Sequence, residues 1–338
     1  LTAERVTSLT RRAALWAALV LILVHPAAAG GEGGGHFLPG SAVQLRDGDI
    51  ILNYTPSPLN SFNRLYAKPE GPYAHALVYV VFPGLGGRVV DFSAAGLVSV
   101  DADETLAGLY EVALVRLRKP PPAGKLAAVA ADMKRRHQEG KITFDFGFRW
   151  TPDDDGRYYC TEFVSQLFRQ AGLADPFPLP PVPEDDFWVE WCARNLDLDL
   201  RLMVSPNAVL FLPEFELAGR HHRKDQVLER REAIFDALLQ RAGDYIREQG
   251  MSAAPPSLGS RLMLGLAGAG LFEASLIGGL PEKSRRFFVT LQEFAVMAGR
   301  RVERTIALNE DETWTREEIV ALTRRTADAL RDRYFVRE

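Results

Sequence analysis

The chain has 338 residues, 47% of them hydrophobic and 25% charged, with a formal net charge of −4. That length supports one large core or two modest ones, and the slight acidity excludes a general attraction to nucleic acid. Two cysteines exclude a disulfide framework.

Residues 1–29 read as an export signal. Arg11 and Arg12 precede an apolar run from Ala13 to Val24, and Ala27-Ala28-Ala29 offers small residues for cleavage. The run is short for a bilayer span. The mature protein is therefore expected in the periplasm or outside a bacterial cell, with an uncleaved N-terminal membrane anchor as the alternative. Residues 30–40 open on a glycine-rich run and are expected to form a linker.

A first domain is expected over residues 41–217. The turn Asp47-Gly48-Asp49 leads into a strand, Ile50 to Tyr54. Leu77 to Phe82 and Arg88 to Phe92 form a hairpin across a glycine-rich spacer. Leu97 to Val100 and Tyr110 to Leu117 read as further strands. Lys125 to His137 is a helix with Leu126, Val129, Ala130 and Met133 on one face. A second helix begins near Cys160, buries Phe163, Val164, Leu167 and Phe168, and stops at Gly172. The prolines from Pro176 to Pro183 form a surface loop.

From residue 218 the strand signals cease, and residues 218–338 are expected to be all helical. Val227 to Tyr245 is amphipathic, and Met251 to Pro256 is a break. Leu262 to Leu280 is apolar, glycine-rich and interrupted by Glu273, which suggests a buried helix pair. Thr315 and Glu318 make a capping box for the last helix, with Trp314 and Ile319 as its staple. No chemistry is visible in this region.

Of six histidines, His75 alone has a strand on which to be fixed. His221 and His222 are adjacent, which makes them a poor metal pair. Cys160 lies at a helix start, where unpaired N–H groups and the helix dipole favour a thiolate. Thiol and imidazole together are what a cysteine nucleophile needs. Cys192, flanked by Trp188 and Trp191, reads as a small buried hydrophobe. A Cys160–Cys192 disulfide is the competing reading, because it would remove the nucleophile. No phosphate loop, zinc cluster or dinucleotide fingerprint is present, so no metal or organic cofactor is expected.

These residues recur in an order with a family likeness. Gly48-Asp49-Ile50-Ile51, Tyr73-Ala74-His75, Val90-Asp91, Phe144-Asp145-Phe146, Tyr159-Cys160-Thr161-Glu162-Phe163-Val164 and Ser205-Pro206 follow one another. The series resembles the circularly permuted NlpC-type papain-like cysteine hydrolases, the YiiX/YebB-like group, over about Leu45 to Leu212. The resemblance implies an α+β fold: a permuted papain-like core with an antiparallel sheet and a cysteine-bearing helix, here followed by the helical extension. It implies Cys160 as nucleophile and His75 as base, in the permuted order. Asp91, at the end of the neighbouring strand, is the candidate to orient the ring. Tyr73 lies two residues before His75 and is expected on the same side of the strand. Tyr73 and Asp145 are the substrate or oxyanion candidates; Tyr73 has core packing as its alternative, and Asp145 an Asx turn before Gly147. Glu162 matches an acidic position of the family motif and reads as structural.

The expected function is an exported thiol-dependent hydrolase that cleaves an amide or ester through an acyl-enzyme. Peptidoglycan peptides are the first substrate class, and lipid acyl groups or lipid amides the alternative. The stretch from Phe177 to Trp191 reads as groove lining or as lid packing. A non-catalytic binding or scaffold module of the cell envelope, working through the C-terminal helices, is the reading from another class.

Overall fold

Residues 50–54 are buried without interruption, and residues 75–80 nearly so, which suits strands covered on both faces. In the computed structural model they form the middle of a six-stranded sheet. The structure describes residues 36–151, 153–173, 177–178, 182–183, 185–255, 279–309 and 313–337. The strands are β1 (Ile50–Tyr54), β2 (His75–Phe82), β3 (Gly86–Ser93), β4 (Gly96–Asp101), β5 (Glu111–Leu117) and β8 (Phe215–His222), in the order β4-β3-β2-β1-β5-β8. Every neighbouring pair is antiparallel. The β2–β3 turn uses Gly84 and Gly86 at φ 75° and 74°, values a β-branched residue would resist.

Alternation along the strands gives the sheet two apolar faces. On one, Leu52, Ala76, Val78, Val90 and Phe92 meet two helices, α3 (Lys125–Gln138) and α4 (Cys160–Gln170). On the other, Ile51, Leu77, Tyr79 and Val89 meet α2 (Ala102–Gly108) and Leu38. A short parallel pair, β6 (Thr143–Phe144) and β7 (Arg157–Tyr158), leads into α4.

A third core joins α1 (Pro58–Tyr66) and α5 (Phe187–Leu196) to α6 (Gln226–Gln249), α7 (Glu282–Ala307) and α8 (Arg316–Tyr334). Phe62, Tyr66, Trp188, Leu238, Phe294 and Leu330 all belong to it. Arg64 of α1 reaches Glu232 of α6 at 2.5 Å and also pairs with Asp236, all three side chains being largely buried. The capping box of Thr315 and Glu318 is present at the start of α8.

Several expectations need correction. The region after residue 217 is not all helical. β8 crosses the expected boundary and adds an edge strand to the sheet by pairing with β5. A further pair, β9 (Met251–Ala253) with β10 (Phe335–Arg337), ties the end of α6 to the end of α8. Glu216-Leu217-Ala218-Gly219-Arg220 has little β-propensity of its own. Pairing with a free sheet edge overrides that weakness. The expected linker also fails in part, because Leu38 is fully buried. α1 had no counterpart in the sequence reading. The stretch expected as groove or lid contains α5, whose Trp188, Val189 and Cys192 are core. The expected signal, most of the apolar stretch 262–280 and part of the proline loop lie outside the described residues. Among the described residues, no helix is long and apolar enough to cross a membrane.

The third core should melt with the sheet, since Ser61 of α1 shares a 2.8 Å hydrogen bond with the Tyr54 hydroxyl of β1. Phe294→Ala, which empties a fully buried position, should lower the unfolding free energy by about 3–5 kcal/mol. A single shifted transition in urea would show one cooperative unit; an unshifted sheet transition would show two.

Candidate active site

The β2–β3 ladder runs from Phe82↔Gly86 to Val78↔Val90. Beyond that pair, His75, Ala76 and Leu77 continue β2 against β1 alone, with Asn53↔His75 as the last pair. The start of α4 fits at this opening. The Cys160 sulfur lies 3.8 Å from the Thr161 hydroxyl, and near enough to the His75 ring and the Ala76 N–H for both to favour its thiolate. Across the opening, Asp91 Oδ1 lies 2.8 Å from His75 Nε2. A carboxylate only accepts, so Nε2 carries the proton and Nδ1 is left for the thiol. The His75 and Asp91 side chains are 20% and 25% exposed, sheltered yet reachable.

The electrostatics follow from this geometry. Burial works against a charged His75 ring, but the Asp91 carboxylate and the Cys160 thiolate overcome it and hold the imidazole pKa well above its usual value. Burial likewise works against the Cys160 thiolate. The His75 charge and hydrogen bond, the Ala76 N–H and Thr161 reverse that and lower the thiol pKa. Each group thus favours the charged form of the other. Tyr159 caps α4 without a side-chain bond, and the first N–H groups of any helix lack intrahelical partners. The Cys160 N–H is one of these, placed for negative charge on a bound carbonyl oxygen.

Residues that the sequence reading passed over keep this end of β2 in place. Asn207 is buried; its Oδ1 accepts from the Tyr73 N–H at 3.1 Å, and its Nδ2 donates to the Tyr73 carbonyl at 2.9 Å. The same Nδ2 donates to Ser205 Oγ at 2.9 Å. A Cβ at Gly71 would collide with the Asn207 carboxamide, so only glycine fits there. The signal was a polar residue directly after Ser205-Pro206 in an otherwise apolar turn. Deeper in the sheet, Asp49 receives both the Nε and a terminal N–H of Arg116 at 2.8 Å, and its backbone carbonyl accepts from Tyr79. The Gly48-Asp49 motif is therefore an anchor for β1 and β2.

The other sequence candidates lie elsewhere or are occupied. Tyr73 lies before the strand. β2 begins at His75, so the two-residue alternation does not extend back to Tyr73. Its ring is buried in the core beneath α4, and the charged groups acting on its hydroxyl are Arg220 and Glu111. Asp145 forms the turn: its carboxylate accepts from the N–H groups of Gly147 at 2.9 Å and Arg149 at 2.6 Å. Cys192 is fully buried in the third core, with its thiol pushed up to about 12 by burial, and both cysteines are free. His36 pairs with Asp103, and His137 bonds the Ile142 carbonyl. Among the described residues, no cluster of three or more His, Cys, Asp or Glu residues could hold a metal ion.

No family model and no curated protein matches the chain. Among solved structures it is similar to the metalloprotein YiiX from Escherichia coli O157:H7, at a TM-score of 0.41 and 20% identity over 53% of this chain and 98% of that one. The likeness is distant.

Asn207→Ala would leave the Tyr73 N–H and carbonyl buried without their partners. The variant should lose about 1–3 kcal/mol of stability in a urea melt. It should also raise the Cys160 pKa, read as thiolate absorbance in the ultraviolet, because His75 follows Tyr73 by two residues. An unchanged thiol titration would separate the clamp from the site.

Proposed function

We propose that the protein is a thiol-dependent hydrolase in which Cys160, His75 and Asp91 act as one catalytic unit. The supporting observation is the position of His75, bonded to Asp91 through Nε2 and close enough to Cys160 that the imidazole and the thiol each favour the charged form of the other. In this mechanism the Cys160 thiolate attacks an amide or ester carbonyl carbon. The carbonyl oxygen becomes an oxyanion and takes the Cys160 N–H. Protonated His75 gives its Nδ1 proton to the leaving group, and a thioester remains. Neutral His75 then removes a proton from water, the hydroxide oxygen bonds to the acyl carbon, and the C–S bond breaks to restore the thiolate. Asp91 keeps the ring in one orientation and stabilises its cation. The scheme uses no cofactor.

The proposed substrate class is an amide of the cell envelope, with peptidoglycan peptides first, and it rests on the export reading of residues 1–29. A lipid chain finds little support in the apolar cavity lined by Leu59, Phe62, Phe148, Met203 and Phe288. That cavity encloses ≈ 20 Å³, room for about one water molecule.

Iodoacetamide alkylation of Cys160 tests the unit. The parent should react well below the usual thiol pKa of about 8.5. The rate should fall at acid pH as the thiolate takes a proton, and change again at alkaline pH as His75 loses its own. His75→Ala should move the profile to that of an ordinary thiol. A parent that already behaves as an ordinary thiol would reject the reading. Asp91→Ala should keep the thiol and the fold, and lower turnover of an amide or ester substrate on the order of 10²-fold.

A further inference from the structure

Glu162 lies two residues after the thiol and takes no part in the scheme above. It is fully buried, 0% exposed. Its Oε1 accepts from the Thr151 N–H at 2.9 Å and faces the Thr151 hydroxyl at 3.3 Å, while its Oε2 is buried without a partner. One turn further along α4, the Gln166 Nε2 is likewise buried without a partner, although Gln166 Oε1 accepts from Arg169. A buried carboxyl with one free oxygen is costly unless it does something for the fold or the site.

What it holds is the segment from Asp145 to Thr151. Asp145 closes one end of that loop through Gly147 and Arg149, and Glu162 closes the other through Thr151. Between them Phe148 stands at φ 50°, in the left-handed region that a bulky residue avoids. Its ring packs at 5.7 Å from that of Tyr159, the residue that caps α4. The Tyr159 hydroxyl also accepts from the Val204 N–H at 2.7 Å. Cys160 follows directly, so the loop bears on the turn that presents the thiol.

We propose that Glu162 is a positioning residue of the Cys160 site. Its buried carboxyl latches the 145–151 loop onto the cysteine helix, and the loop, through Phe148 against Tyr159, holds the helix start in register with His75. The importance of that register rests on the thiol reading above.

The latch titrates. Burial pushes the Glu162 carboxyl up to about 8; the Thr151 hydrogen bonds oppose the shift, and the negative charges of Asp145 and Asp155 add to it. Facing it are Asp145 from the loop, Asp155 and Arg157 from the approach to α4 and β7, and Tyr159 at the cap. Cys160 is on the same turn. The fold favours the neutral carboxyl. Its contribution to stability is therefore complete below the ordinary value of 4.5 and is lost as the pH rises to about 8. Above that, a buried anion sits beside two carboxylates and works against the loop.

The test measures deuterium exchange of the Thr151 amide, corrected for intrinsic rate, together with Cys160 alkylation. Both run from about pH 6 to about pH 9 in the parent, Glu162→Gln and Glu162→Ala. Glu162→Gln should keep Thr151 protected and react within about twofold of the parent at neutral pH, as a neutral isostere that still accepts the Thr151 N–H. Its Thr151 exchange should lack the parent's inflection near pH 8. Glu162→Ala should lose the Thr151 protection and alkylate about tenfold more slowly. The proposal is overturned if Glu162→Ala protects Thr151 as the parent does, or if the Thr151 exchange of Glu162→Gln retains the parent's inflection. A parent Cys160 that reacts as a free thiol would reject the hydrolase reading alone; the exchange at Thr151 would still decide whether the latch exists.

Discussion

His75 sits where one strand outruns its neighbour. On the β1 side it is paired through Asn53, and on the β3 side the ladder has already ended at Val78↔Val90. That opening lets a helix start approach this end of the sheet, so that the Ala76 N–H and the His75 ring both favour the Cys160 thiolate. It also lets Asp91 lean across to the ring at 2.8 Å. Had the ladder continued, the Ala76 N–H would be spent on β3 and the thiol would find a closed sheet. An arrangement of thiol, imidazole and carboxylate of this kind needs groups fixed within a fraction of an ångström, and a strand pinned on one side and open on the other satisfies that.

The rest of the molecule can be understood as holding that strand end still. Asn207 clamps the backbone of Tyr73, and Gly71 makes room for it. Asp49 and Arg116 tie β1, β2 and β5 through a buried ion pair. Such a pair gains little net energy over an apolar substitute, but it fixes where the strands lie. The helices after β8 add a core of their own and grip α1 through Arg64. Tyr54, Ala74 and Tyr110 form a small cluster with Leu228 of α6, next to His75 in the chain. The C-terminal region thus braces the sheet at the end that carries the site.

Much of this was legible in the residues themselves. β1 to β5 are within a few residues of their expected ranges, because each is a run of Val, Ile, Leu and Phe bounded by glycine, proline or aspartate. The capping box at Thr315 was readable because both partners lie within one turn. The nearness of Asp91 to His75 was readable from its place at the end of the hairpin strand. The failures have a common cause. β8 has a sequence that argues for no strand, and only the free edge of β5 makes it one. Tyr73 was placed by alternation that applies only inside a strand, and the strand starts two residues later. Asn207 and Glu162 act through partners 134 and 11 residues away, so local pattern does not tell what they hold.

By itself the sequence determined the local chemistry: a thiol at a helix start, an imidazole on a strand, a carboxylate at the end of the next strand, and a sheet-then-helix order along the chain. Periodicity, capping and turn residues act within a few positions, and they suffice for that. Tertiary structure decided the rest. It set where the β2–β3 ladder stops, which ring nitrogen meets Asp91, which buried amide steadies Tyr73, and that a glutamate beside the thiol holds a distant loop. These are contacts between residues far apart in the chain, selected by how the sheet, the two helices above it and the C-terminal bundle share their buried surfaces.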